Sequence, residues 1–269
     1  MTEDNLTYAY EQLTSNENIF LTGNAGTGKT TLIKKFISEN IDSCIVLAPT
    51  GVAALNIGGQ TIHRFFGFPA RVISYESVKV LDDYDPRDMN RIAILRRAKY
   101  LIIDEISMVR ADMMDQIAWF FHKNSEVISH KRKGDTSGAF CGIKLIMIGD
   151  LDQLPPVVAT EEEKAMLSSR YNSEFFFSSK LFQQYAKFKT VKLTKVFRQS
   201  DPDFVQLLND IKNNSISDSQ ISMLNFECVT QQEILSPDTH GIMLAATNKI
   251  ADEVNQELLG RLDSPLISL

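Results

Sequence analysis

The chain has 269 residues, 43% of them hydrophobic and 23% charged, with a formal net charge of −6. That balance suits a globular chain of one large α/β domain or up to two ordinary ones, and it argues against a protein that coats nucleic acid by bulk positive charge, though not against a narrow groove read by a few residues. No apolar run approaches the roughly 18 residues that span a bilayer, so no membrane partner is expected.

The N-terminus, Met1-Thr2-Glu3-Asp4-Asn5, is acidic and has no signal-peptide character. The three cysteines, Cys44, Cys141 and Cys228, are isolated. They point to a reducing compartment and no structural metal, hence to a cytoplasmic protein, nucleoid-associated if bacterial.

The first strand expected is the apolar run Ile19 to Thr22. It leads into Gly23-Asn24-Ala25-Gly26-Thr27-Gly28-Lys29-Thr30, which fits G-x-x-x-x-G-K-[ST] at every specified position, and Thr31 to Ile37 continues with helical spacing. Glycines let backbone N–H groups curl around phosphates at a helix N-terminus, where the helix dipole also favours negative charge. Gly23, Ala25, Gly26, Thr27, Gly28 and Thr31 would form the cradle, Lys29 would reach the β- and γ-phosphates, and the Thr30 hydroxyl would hold Mg²⁺. A nucleoside triphosphate, ATP with Mg²⁺, is the expected ligand.

Further strands are expected at Ser43 to Ala48, Tyr100 to Asp104, Lys144 to Gly149, Thr190 to Leu193 and Gly241 to Ala246. Helical segments such as Arg110 to Phe121 and Pro202 to Lys212 alternate with them. Several strands are continuously apolar, as parallel strands covered on both faces are. The fold expected is therefore α/β, a parallel sheet between helices. Pro69 to Arg97 reads as an insertion and Lys123 to Gly138 as a basic, Ser/Gly-rich mobile loop. The basic clusters Arg91 to Arg97 and His130 to Lys133 read as solvated faces.

Tyr100 to Ile103 ends in Asp104-Glu105. Beside a phosphate loop, an acid at such a strand end holds Mg²⁺, and the next carboxylate can polarise a water in line with the γ-phosphate and accept its proton. Asp104 is thus the expected metal partner and Glu105 the general base, which favours hydrolysis over a sensor role. Gly149-Asp150-Leu151-Asp152-Gln153-Leu154-Pro155-Pro156-Val157 leaves the next strand end. The Gln153 amide could sense the γ-phosphate and the prolines transmit its state, or the segment is simply a proline-terminated loop.

From Ala48 to Gly67 the chain resembles the DNA-contacting segment after the phosphate loop of Pif-one type helicases, superfamily-one motors related to the RecD type. Asp104 to Val109 resembles their second motif, Gly149 to Val157 their third and Phe197-Arg198-Gln199 their fourth. Phe140 to Leu145 is similar to the end of the signature stretch between the second and third. The match runs in order from about residue 6 to residue 260.

The resemblance implies RecA-like architecture, with residues 1–68 and 98–187 as the first ATPase domain. Residues 69–97 would be a small wedge subdomain and 188–269 the beginning of a second RecA-like domain. It gives Lys29, Glu105, Gln153 and Arg198 catalytic roles, Arg198 as an arginine finger from the second domain. It implies that Thr50, Gly51, His63 and Phe65 contact single-stranded DNA, with Pro155 and Pro156 lining the same track. Small residues and backbone N–H groups bind phosphate without reading sequence, while an aromatic ring offers a stacking platform. His63 and Phe65 fit a core position equally well.

Two departures stand out. Gln12 is the only nearby candidate for the family's adenine-side glutamine, and no counterpart to its later motifs follows Thr247-Asn248-Lys249. The helix expected at Asp252 to Leu259 comes so close to Leu269 that the chain reads as a fragment ending inside the second motor domain. The expected activity is that of a monomeric, ATP-dependent 5′-to-3′ helicase acting on single-stranded and forked duplex DNA. The alternatives are an AAA+ or clamp-loader-like switch, or an ATP-binding half-motor without activity of its own.

Overall fold

The computed structural model describes residues 3–69, 74–130, 132, 137–185, 187–197, 199, 201–227, 244–245 and 247–261. Two compact units divide at residue 202, Met1–Pro202 and Asp203–Leu269. The first is built on a parallel sheet of six strands, β1 (Asn18–Gly23), β2 (Cys44–Ala48), β3 (Gln60–Thr61), β4 (Tyr100–Ile103), β5 (Lys144–Gly149) and β6 (Phe188–Leu193), in the order β3-β2-β4-β5-β1-β6. All pairings are parallel, so the C-terminal ends of the strands share one edge.

The continuous apolar runs make sense because both sheet faces are covered. On β1, Ile19 and Leu21 join one core with Ile33 and Phe36 of α2 (Lys29–Glu39) and Ala9 and Leu13 of α1 (Glu3–Thr14). Phe20 points the other way, into a core with Phe66 of α4 (Ile62–Phe66) and Phe120 of α6 (Ala111–Lys123). On β5, Ile146 and Ile148 face the first core while Leu145 and Met147 face the second. α3 (Gly51–Ile57) links β2 to β3.

The strand at Phe188–Leu193 corrects one expected boundary. It pairs with β1 as the sheet's edge, Leu21 opposite Val191, so residues 188–202 belong to the first unit and not to the start of a second domain. The insertion is also part of the first unit's core. Val78, Leu81, and Ile92 and Leu95 of α5 (Pro86–Arg97) pack into the same cluster as Phe120. Its chain is held at the end of α6, where Lys123 Nζ donates to the Glu76 carbonyl at 2.9 Å and Asn124 Nδ2 donates to the Lys79 carbonyl at 3.0 Å.

Lys123 to Gly138 is not loop throughout, since Ser125–Ser129 forms a short helix, α7. The basic clusters are engaged in holding this region together. Arg96 pairs with Asp83 at 2.8 Å and donates to the Val127 carbonyl at 3.0 Å. Arg132 donates to the Leu95 carbonyl at 3.0 Å at the end of α5.

At the opposite edge of the sheet Lys144 opens β5, 8% exposed. Its ammonium donates to the carbonyls of Gln12, Leu13 and Ser15 at 2.8, 2.8 and 2.7 Å. These lie at and just past the end of α1, where helical carbonyls lack partners of their own. Burial pushes the Lys144 pKa down to about 8.

The second unit takes the helix Pro202–Lys212 from its second residue onward, and helices Asp218–Glu227 and Asn248–Gly260. Gln220 Nε2 donates to Asp210 at 2.7 Å, joining the first two. Of the strand expected at Gly241 to Ala246 only Leu244 and Ala245 are described, and neither is in a strand. No helix among the described residues is long and apolar enough to cross a membrane.

Candidate functional site

β1 ends where the phosphate-loop sequence begins, and α2 starts at Lys29 with Gly28 as its N-cap. Gly28 has φ 89°, a left-handed conformation open to glycine at no steric cost. Thr27 is buried, its hydroxyl donating to the Asn24 carbonyl at 2.9 Å, which stiffens the loop from inside. The Lys29 ammonium folds across the loop onto the carbonyls of Gly23 and Asn24 at 2.6 and 3.0 Å.

β5 lies between β1 and β4 in the sheet, so its end separates the loop from the acid pair at the end of β4. Gly149 closes that gap. A side chain there would meet the Ile106 methyl Cγ2 at 2.9 Å and the Ile106 nitrogen at 3.1 Å. Its absence lets the turn Ile106–Met108 sit against β5.

Asp104 is 8% exposed. Burial pushes its carboxyl up to about 6; the Glu105 backbone N–H, donating at 3.0 Å, opposes that shift, the Glu105 charge adds to it, and Lys29 and Lys34 pull against it. Glu105 has φ 49°, uncommon for a residue with a side chain. The Gln153 amide donates to Asp150 at 3.3 Å, and the Asp152 N–H donates to the same carboxylate at 3.2 Å.

These pieces converge on one cavity of about 450 Å³. Ala25, Gly26, Thr27, Gly28, Lys29, Thr30, Thr31, Asp104, Glu105 and Gln153 all line it, with Gly149, Asp150 and Phe197. Gly23 stands behind it, its carbonyl on Lys29. Arg198 lies outside the described residues.

Sequence reasoning missed three of the lining residues, Gly149, Asp150 and, chemically most unlike the rest, Phe197. Its N–H donates to the Gly26 carbonyl at 2.7 Å, and its ring lies 3.7 Å from the position a Gly28 side chain would take. It stands beside Arg198 in the fourth motif, but an aromatic in a motif does not reveal which surface it covers. Gln12, by contrast, turns away, accepting from Lys189 at 2.9 Å.

The donor set fits a hydrated divalent cation. Mg²⁺ takes hard oxygens and is held by one or two carboxylates together with substrate phosphates, and the cavity offers the Asp104 carboxylate and the Thr30 hydroxyl. Among the described residues no group of three or more His, Cys, Asp or Glu could hold a metal without such help.

The residues expected to meet DNA divide. Thr50 and His63 line a second cavity of about 270 Å³. Thr50 caps α3, its hydroxyl accepting from the Ala53 N–H at 3.2 Å, and Gly51 is exposed beside it. Burial, and then the charge of Arg110, hold His63 below its ordinary pKa. Phe65 is 4% exposed and packs edge-on to Phe66 at 4.9 Å. It is a core residue, and the expectation of a stacking platform there is corrected. Pro155 is exposed while Pro156 is buried, so only Pro155 presents its ring to solvent.

The profile of the PIF1-like helicase family matches residues 6–222. The chain is 33% identical over 205 residues to the ATP-dependent DNA helicase RRM3 of Saccharomyces cerevisiae, covering 74% of this chain and 26% of that protein. It is 28% identical over 263 residues to the ATP-dependent DNA helicase Pif1 of Campylobacter jejuni, covering 96% of this chain and 54% of that protein. The crystal structure of Pif1 helicase from Bacteroides in complex with ADP-AlF3 and ssDNA superposes with a TM-score of 0.79 at 31% identity, covering 98% of this chain and 58% of that one. The chain thus spans between about a quarter and a little over half of the relatives it matches. On its sequence and its fold, this chain belongs to the PIF1-like helicase family.

Proposed function

We propose that the chain is the ATP-hydrolysing part of a DNA helicase that moves 5′ to 3′ along single-stranded DNA. The observation that carries this is the single cavity in which the phosphate loop, Asp104, Glu105 and Gln153 meet. Backbone N–H groups of residues 25–28 and the positive end of α2 bind the phosphates of ATP. Lys29 exchanges its loop carbonyls for the β- and γ-phosphate oxygens.

Thr30 and Asp104 would hold Mg²⁺, which would supply charge neutralisation to the bound triphosphate. Glu105 takes a proton from the water that attacks the γ-phosphorus; the bond to the β–γ bridging oxygen breaks, leaving ADP and inorganic phosphate. Gln153 reads the γ-phosphate, exchanging its bond to Asp150 for one to that group. Phe197 packs its ring against Gly28 beside the phosphates, and Arg198, next to it in the chain, supplies positive charge as the transition state develops.

Thr50, Gly51, His63 and Pro155 form the face for single-stranded DNA, and residues 69–97 act as the wedge at a fork. The beginning of the second motor domain falls after residue 202. In the Bacteroides relative the crystal contains both ADP-AlF3 and ssDNA, which supports pairing the two ligands here.

The test is ATP turnover with and without a single-stranded oligonucleotide. Stimulation of about tenfold or more is expected. Turnover indifferent to the oligonucleotide would favour a switch ATPase of another class.

A further inference from the structure

Arg110 stands where three segments meet. It directly follows the turn after Glu105 and caps α6. Its guanidinium grips Asp112 through both oxygens, Nε to Oδ1 and the second amino group to Oδ2, each at 2.9 Å. Asp112 is 2% exposed, so the cation is fixed from one side. Its remaining amino group reaches Glu163 Oε1 at 3.3 Å.

Glu163 lies in the first turn of α8 (Glu161–Arg170), whose N-cap is Thr160. Its other oxygen accepts from the Ala159 N–H at 3.0 Å. The ion pair therefore ends on the far end of the segment that leaves β5 at Gly149 and carries Gln153, Pro155 and Pro156. Arg110 and Glu163 also wall the cavity shared by Thr50 and His63. One cation is thus connected to the exit of the acid-pair strand, to the Gln153 segment and to the face carrying Thr50 and His63.

We infer that the Arg110–Glu163 pair is a positioning strut through which occupancy of the Thr50–His63 face sets the geometry of Gln153 and Glu105. The inference rests on the helicase reading above. The two side chains are 15% and 21% exposed, so solvent and salt screen the pair less than a surface contact. The bidentate hold on Asp112 leaves the guanidinium little freedom to turn independently of α6. A displacement at His63 is then passed to Ala159 and along the prolines, and not absorbed by a loose side chain. Neutralising Glu163 removes the tie between Arg110 and the far end of the segment while substituting no residue that lines the ATP cavity.

The test compares Glu163→Gln and Arg110→Gln with the wild-type protein, reading ATP turnover without DNA and over a titration of oligo(dT). Glu163→Gln keeps an oxygen for the Ala159 N–H and is expected to fold with an unchanged Tm. Turnover without DNA should stay within about twofold of wild type, while maximal stimulation falls about threefold or more at an unchanged half-saturating oligo(dT) concentration.

Arg110→Gln leaves the buried Asp112 carboxylate without its cation; where that variant fails to fold, Glu163→Gln alone decides. Full stimulation in Glu163→Gln overturns the strut. A change confined to the half-saturating concentration also overturns it, making the pair part of the DNA-binding surface. A wild-type protein that oligo(dT) does not stimulate overturns the helicase reading itself, and the strut with it.

Discussion

The Phe197 N–H donates to the Gly26 carbonyl at 2.7 Å, fastening the segment that follows β6 to the middle of the phosphate loop. The ring is half exposed and stands against Gly28, with the Lys195 ammonium 4.9 Å from its centroid. Its backbone therefore sets the loop while its side chain remains available to a ligand.

Phe197→Ala keeps the backbone bond and removes the ring. Loss of one aromatic contact costs about 1 kcal/mol, so ATP should bind about fivefold more weakly with turnover at saturation little changed. Leu is the control, restoring bulk without a π face. Equilibrium binding of a fluorescent ATP analogue reads both variants.

Glu105→Gln is nearly isosteric and removes the proposed proton acceptor. Turnover should fall by about 10²–10⁴, the typical contribution of a general base, with ATP affinity retained. Lys29→Ala should lose affinity itself. Turnover near the wild-type rate in Glu105→Gln would remove that residue from the chemistry.

Asp104 gives a pH signature in the absence of nucleotide. Its carboxyl is raised from 3.8 to about 6 by burial, so the folded chain holds a proton that the unfolded chain releases. Its contribution to stability is present below about pH 4 and is lost as pH rises to about 6. The loss is on the order of 3 kcal/mol, each pKa unit being worth about 1.4 kcal/mol. Other carboxylates titrate in the same window, so the quantity to measure is the difference between wild type and Asp104→Asn in urea unfolding. That difference should change by this amount from pH 4 to pH 7.

Lys144→Met removes the donor from three carbonyls at the end of α1 while keeping most of the buried stem. Uncapped buried carbonyls cost about 1–3 kcal/mol, which for a chain of this size lowers Tm by several degrees. Calorimetry reads the shift. An unchanged Tm would mean that water replaces the ammonium there without loss.

Most of the sheet was legible because its central strands are apolar on both faces and bounded by chemistry-bearing turns, while β6 alternates. Five of the six observed strands coincide with apolar runs; β3 has two residues, too few for any period. Which sheet a strand joins is another matter. Val191 and Leu193 look alike beside β1 or in a separate domain, and only the pairing of Leu21 with Val191 decides.

The phosphate loop, Asp104, Glu105 and Gln153 were legible because their spacing is dictated by the phosphates they would serve. Phe65 was not, since Ile62, Phe65 and Phe66 all face the core from one short helix and a ring's identity does not say whether it meets a base or another ring. The helix Ser125–Ser129 was hidden by its polar composition. It is held in place by its neighbours, with the Ile128 side chain fully buried in the core shared with α5 and α6.

Glu105 sits at φ 49° and ψ 45°, a conformation that asparagine or glycine adopts more cheaply. A chain selected only for stability would therefore place one of them after Asp104, and Glu105→Gly should refold into a sturdier protein with a silent cavity. The carboxylate survives there against the preference of its own backbone. Cys141 and Asn214 share the left-handed conformation, but of the three only Glu105 lines the cavity of the phosphate loop.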